Sequence, residues 1–229
     1  PEPLDVGKRR KFKKKDLNPF ATLIKAFLFR DLRILFLCFF IISLAHWVYP
    51  AIWSFWSKEV FDWGPGLIGI SLACYGLGVA LVQGFVIRMK FVNRLGPRKV
   101  VFLSLVIGSI ALTGFGFANM AWMVFLLIPI AVMSELMNPT LDSFVSNQIS
   151  DRKQGLLQGI LSSINAITSV ISPLMMTILF KIGTLSEDRF YIPGIPFIFA
   201  AILLLAIIYP LLQSMKTLEA DPTLKEKFI

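Results

Sequence analysis

Six long apolar runs dominate this chain, at about residues 33 to 56, 67 to 88, 99 to 118, 121 to 142, 155 to 180 and 193 to 213. Each is close to the roughly 20 residues that an α-helix needs to cross a hydrocarbon core about 30 Å thick. Lipid offers no partners for backbone N–H and C=O groups, so a spanning segment must satisfy them as a helix or within a closed barrel. The runs are continuous and rich in Leu, Ile, Phe and Ala, without the alternating ten-residue pattern of barrel strands, and so predict helices. A composition of 56% hydrophobic and 16% charged residues supports the same conclusion. The expected fold class is an all-α membrane protein of six transmembrane helices.

Charge fixes the expected topology. Arg88, Lys90, Arg94, Arg98 and Lys99 crowd the short loop between the second and third runs. Such a loop is easier to leave in the cytoplasm than to translocate. Of the 23 Lys and Arg residues, 20 then fall on the cytoplasmic side, and just Lys58, Lys181 and Arg189 fall outside. Both ends of the segment are expected inside. The net charge of +9 is therefore topological, and it implies no nucleic-acid partner. Cys38 and Cys74 lie in apolar runs with neither zinc spacing nor a disulfide framework, so no metal site and no cofactor are expected. The chain opens at Pro1 with a charged stretch rather than a signal sequence, which suggests the second part of a longer protein.

Residues 1–32 read as a cytoplasmic linker, polar and cationic through Lys15, with a short interfacial helix from Phe20 to Phe29. Residues 33–213 are the six-helix bundle, and residues 214–229 a cytoplasmic tail. The first run ends in Trp47, Tyr49, Trp53, Phe55, Trp56, Phe61 and Trp63, expected as an aromatic belt at the outer interface, with Pro50 bending the helix. Small residues at Gly69, Ala73, Gly76, Ala80 and Gly84 share one face of the second run, and Gly155, Gly159, Ser162, Ala166, Ser169 and Pro173 repeat the device in the fifth. Such faces let helices pack closely in lipid. The fifth run is polar enough to line a cavity, with Asn165 making the strongest demand for a partner. The sixth run has no polar side chain but Tyr209 between Phe197 and Leu212, which predicts a lipid-facing helix.

Two ionisable residues lie deep in these runs. His46 is the sole histidine, and it reads either as a neutral ring bonded to a neighbouring helix or as a proton switch. Glu135, in the inner third of the fourth run, reads either as a partner for Arg94, Arg98 or Arg152 at the cytoplasmic mouth or as a proton carrier. Pairing needs no special chemistry and is the favoured expectation. Asp142 lies nearer the cytoplasm, as an interfacial or helix-end charge.

Several short motifs then fall in a recognisable order. The stretch from Trp53 to Gly76, above all Phe61, Trp63 and Ile68-Gly69-Ile70-Ser71-Leu72-Ala73, resembles the seventh-to-eighth helix region of the major facilitator superfamily, specifically its drug/proton antiporters of the tetracycline-resistance efflux type. Asn93-Arg94-Leu95-Gly96-Pro97-Arg98-Lys99 resembles the C-terminal copy of that superfamily's cytoplasmic loop motif, and Gln154-Gly155-Leu156-Leu157-Gln158-Gly159, with Pro173 beyond it, resembles the start of the eleventh helix. The resemblance implies that the runs are helices seven to twelve of a twelve-helix transporter in a bacterial inner membrane. The implied partners are an N-terminal six-helix half, the lipid bilayer, a small-molecule substrate and protons. Substrate would be held near the midplane between the halves. The first, second, fourth and fifth runs would contribute to the cavity or its gates, with the third and sixth outside.

Candidate cavity residues are His46, Trp53, Tyr75, Gln83, Asn138 and Asn165. Glu135, Arg94, Arg98 and Asp142 are candidates for gating or proton coupling. The implied activity is proton-linked multidrug or tetracycline-like efflux, with a metabolite importer or facilitator or a non-transporting receptor or scaffold as alternatives. The chain departs from the pattern at Met89 and Asn93, where glycine and aspartate are common. Val79 and Gly108 stand where the tetracycline pumps carry a histidine and an aspartate. Neither tetracycline nor that coupling route is therefore carried over.

Overall fold

The computed structural model describes residues 32–88, 90–149, 154–185 and 191–220. The expected linker, its interfacial helix and Arg152 lie outside them. Among the described residues the chain forms α1 (Arg33–His46), α2 (Val48–Phe61), α3 (Pro65–Gly84), the short α4 (Lys90–Leu95), α5 (Pro97–Phe117), α6 (Ala121–Ser134), α7 (Met137–Ser146), α8 (Gln154–Thr184) and α9 (Ile195–Ala220), with no strand. They make six units long and apolar enough to cross a membrane: α1 with α2, α3, α5, α6 with α7, α8, and α9. Ser214, Met215 and Leu218 are buried on α9, so the tail expected from residue 214 begins inside a packed helix.

Prolines set the starts and the breaks. Pro65 and Pro97 occupy the first turns of α3 and α5, where a missing N–H costs nothing. Before Pro97 the chain turns through Gly96 at φ +77, a conformation that suits glycine, which accounts for the Gly-Pro pair of the loop motif. The first span breaks between His46 and Val48, and the fourth between Ser134 and Met137. Pro50 stands four residues after His46, and Pro139 four after Glu135. Each proline therefore withholds the N–H that would bond the earlier residue's carbonyl. Helical bonding resumes one residue later, from Ala51 N–H to the Trp47 carbonyl (3.1 Å) and from Thr140 N–H to the Leu136 carbonyl (3.3 Å).

The core lies where α9 packs on α5 and α1. Phe197, Ala200, Ala201, Leu204, Ile207 and Leu211 form its inward stripe, while Ile202, Leu205 and Tyr209 are exposed on the other face. Absence of polar side chains thus marks dry packing against helices on one face of α9 and leaves the other face exposed. Where α5 ends and α9 begins, the chain comes so close that a Cβ on Gly194 would overlap the Gly116 backbone, and one on Gly183 would meet the Ile192 carbonyl. These glycines make the tight contacts. Gly69, Gly76, Gly84 and Gly155, the expected packing positions, face open space among the described residues.

The aromatic belt is corrected as well. Trp53, Trp56 and Trp63 are buried rather than interfacial, while Phe55 is exposed. Tyr49, Trp53 and Trp56 recur at spacings of four and three, so one face of α2 carries them inward. Trp56 meets Phe197 at 4.9 Å between ring centroids, and Trp53 meets Phe115 at 5.2 Å, both edge-on, a favoured aromatic geometry. By contrast α3 buries just Ser71 and Val82. It leans on α6, with Trp53 Nε1 donating to Ser71 Oγ at 2.9 Å as a cross-link to α2.

Candidate functional site

A cleft of about 490 Å³ opens between α1, α7 and α8. Spacing explains its polarity. Ser43 and His46 are three apart on α1, Asn138 and Asp142 four apart on α7, and Gln158, Ser162 and Asn165 four and three apart on α8, so each set shares a helical face. All seven line the cleft, with Phe39 and Trp47 supplying apolar wall. Among the described residues, its lining holds no Lys or Arg.

The α1–α8 seam is a hydrogen-bonded ladder. Ser43 Oγ donates to Asn165 Oδ1 at 2.8 Å and lies 2.7 Å from the Thr168 hydroxyl, and Ser172 Oγ donates to the Leu44 carbonyl at 2.7 Å. Other α8 hydroxyls turn back on their own helix, Ser163 to the Gly159 carbonyl and Ser169 to that of Ala166. Asn165 thus finds the partner in another helix that its amide demands.

Behind the cleft wall lies a second cluster, at the two helix breaks. Glu135 is 7% exposed. Tyr75 Oη donates to its Oε1 at 2.6 Å, Asn138 Nδ2 donates to its Oε2 at 3.3 Å, and His46 Nδ1 approaches its Oε1 at 3.4 Å. Tyr49 packs on Tyr75 at 5.3 Å between centroids. In place of the favoured pairing with Arg94 or Arg98, Glu135 meets Tyr75, Asn138 and His46, and Arg152 lies outside the described residues. The break at Ser134 points the carboxylate sideways into the bundle, toward α1 and α3. Arg98 instead lies 3.6 Å from Glu219 near the end of α9.

Of the cavity candidates, the structure brings His46, Asn138 and Asn165 to the cleft. Tyr75 joins the Glu135 cluster behind it. Trp53 belongs to the aromatic core, and Gln83 is exposed on α3 outside the lining. Asp142, expected as a helix-end charge, lines the cleft. Arg94 and Lys99 are exposed at the loop, and the Asn93 side chain is outside the described residues. Gly159 and Pro173 are half-buried within α8. Ser43 and Gln158 were not singled out as cavity residues, although the three-residue step to His46 and the four-three stripe with Ser162 and Asn165 carry the signal. Among the described residues, no three His, Cys, Asp or Glu side chains gather as a metal site.

Residues 35–226 match the Major Facilitator Superfamily. The class G tetracycline resistance protein of Vibrio anguillarum is 33% identical over 165 residues, 72% of this chain and 42% of that protein. The class C tetracycline resistance protein of Escherichia coli is 29% identical over 76% of this chain and 44% of its own length. Hippocampus abundant transcript-like protein 1 of Mus musculus is 26% identical over 83% of this chain and 40% of its own length. The chain spans less than half the length of these relatives. With its all-helical architecture and a superfamily match over nearly all its length, this chain belongs to the Major Facilitator Superfamily.

Proposed function

We propose that this chain is the C-terminal half of a secondary transporter that moves a small organic molecule by alternating access, as a proton-linked efflux pump. The observation that carries the reading is the convergence of polar side chains from α1, α7 and α8 on one cleft of a chain whose helices are otherwise apolar. Intramembrane polar groups are costly, and they are retained where they face water or a ligand. The tetracycline resistance relatives support efflux of a drug-like molecule. In this reading Ser43, Asn138, Gln158, Ser162 and Asn165 bind by hydrogen bonds, Phe39 and Trp47 by apolar contact. A lining without Lys or Arg among the described residues disfavours anions. The N-terminal half closes the cleft, and the bilayer is the medium. Both ends of this chain lie in the cytoplasm.

The test is flux through the full-length transporter in proteoliposomes, with tetracycline and ethidium as probes, with and without a pH gradient. Accumulation driven by the gradient, and weakened about tenfold by Asn165→Leu, is expected. Flux indifferent to the gradient would remove proton linkage, and the absence of any counterflow would remove transport of these molecules.

A further inference from the structure

The pair His46 and Glu135 does more than occupy neighbouring helices. Each residue sits four positions before a proline, at the point where its own span breaks, and the two breaks meet through these side chains at 3.4 Å. His46 lines the water-accessible cleft, with its side chain 20% exposed, whereas Glu135 lies behind it, its side chain 9% exposed. Of the two, His46 is the one that lines the cleft, and Asn138, on the other carboxylate oxygen, lines it as well.

We infer that His46 and Glu135 form a proton-loaded clasp joining the broken first and fourth spans, which closes when the pair binds one proton and parts when it is released. The inference rests on the transport reading for its purpose but not for its test. With one proton on the ring, imidazolium and carboxylate make a pair of no net charge, which is tolerable inside a membrane protein when its hydrogen bonds are satisfied. Tyr75 and Asn138 supply those bonds and act as positioning residues. When the proton returns to cleft water, the carboxylate keeps its charge without a counter-ion. Moving toward water then becomes favourable. The prolines make that movement local, since each break already lacks a helical bond.

The groups facing the pair are few. Tyr75 comes from α3 and Tyr49 from α2, while Asp142 lines the same cleft two turns along α7. From α5, Gly108 packs against Ser134, whose hydroxyl bonds the Ala131 carbonyl. Arg98 is occupied with Glu219. The pair itself lies on the first and fourth spans, whereas Val79 and Gly108 lie on α3 and α5.

The test is a distance measurement that requires no substrate. Spin labels at Leu37 on α1 and Ser143 on α7, both exposed, are placed in the full-length protein in lipid nanodiscs, and their separation is read from about pH 5.5 to about pH 8.5, the range in which histidine charge commonly changes. The separation should shift by several ångströms across that range. It should become independent of pH in both H46N and E135Q, and remain pH-dependent in D142N. The amide introduced by E135Q keeps an acceptor for Tyr75, so this variant is expected to fold, and its elution as a monodisperse species checks this. A pH-independent parent, or pH dependence that survives in H46N or E135Q, would overturn the clasp. A transporter inactive on every probe would leave the distance result readable, so the two failures are distinct.

Discussion

The α5–α9 contact and the exposed face of α3 are built from the same materials, small residues and apolar side chains, yet one is closed and the other open. At the first, Gly116 and Gly194 bring two backbones together and bulky rings fill the surrounding space. At the second, Gly69 and Gly76 meet nothing among the described residues, and Leu72 and Leu77 stand exposed. The contrast separates two jobs. The closed contact holds two spans together, and the open face meets nothing among the described residues. In lipid, small residues permit close approach but do not choose the partner.

The sharpest way to break this comparison is to add volume on each side. Gly194→Leu should prevent α5 and α9 from packing, with loss of the folded protein from detergent extracts. Gly76→Leu should leave thermal unfolding within about 1 kcal/mol of the parent, because no neighbour is displaced. Equal destabilisation would show that the open face is packed after all. Trp56→Ala removes the largest fully buried ring of the core and should cost about 3–5 kcal/mol, read by chemical unfolding. Phe55→Ala, one residue away but exposed, should cost far less. The α1–α8 seam lies between these extremes. Ser43→Ala removes the bond to Asn165 and should cost about 1 kcal/mol, since hydrogen bonds between membrane helices are modest contributors.

How legible each region was in sequence follows from what kind of force holds it. Long apolar runs announced six spans because backbone satisfaction in lipid dictates length. Pro65 and Pro97 stand in the first turns of α3 and α5 for similarly local reasons, although neither was read as a helix start. The aromatic residues of α2 were harder, because burial at an outer helix end and anchorage at an interface use the same side chains. The four-three spacing of Tyr49, Trp53 and Trp56 held the distinguishing information. The partner of Glu135 was not legible from charge, because counting arginines on one side of the membrane says nothing of the helix break, where the carboxylate meets His46 and Tyr75. That turn is visible in one pattern, a proline four residues after each of the two ionisable groups. The packing glycines were missed for an opposite reason: Gly116 and Gly194 belong to no repeating stripe, and a single close contact leaves no periodicity.

The claim that joins these regions is that the cleft of α1, α7 and α8 is reached alternately from the two sides of the membrane. It is tested most directly by placing a cysteine at Ser162, in the cleft wall, within a full-length protein lacking other reactive cysteines, and applying a membrane-impermeant maleimide to vesicles of each orientation. Cysteines at Lys58 and Arg94 serve as references, each expected to react from one side, outer for Lys58 and cytoplasmic for Arg94 in the proposed topology. The account predicts that the Ser162→Cys protein reacts from both sides while each reference reacts from one. Reaction of Ser162→Cys from a single side, under every condition of pH and probe, would contradict it.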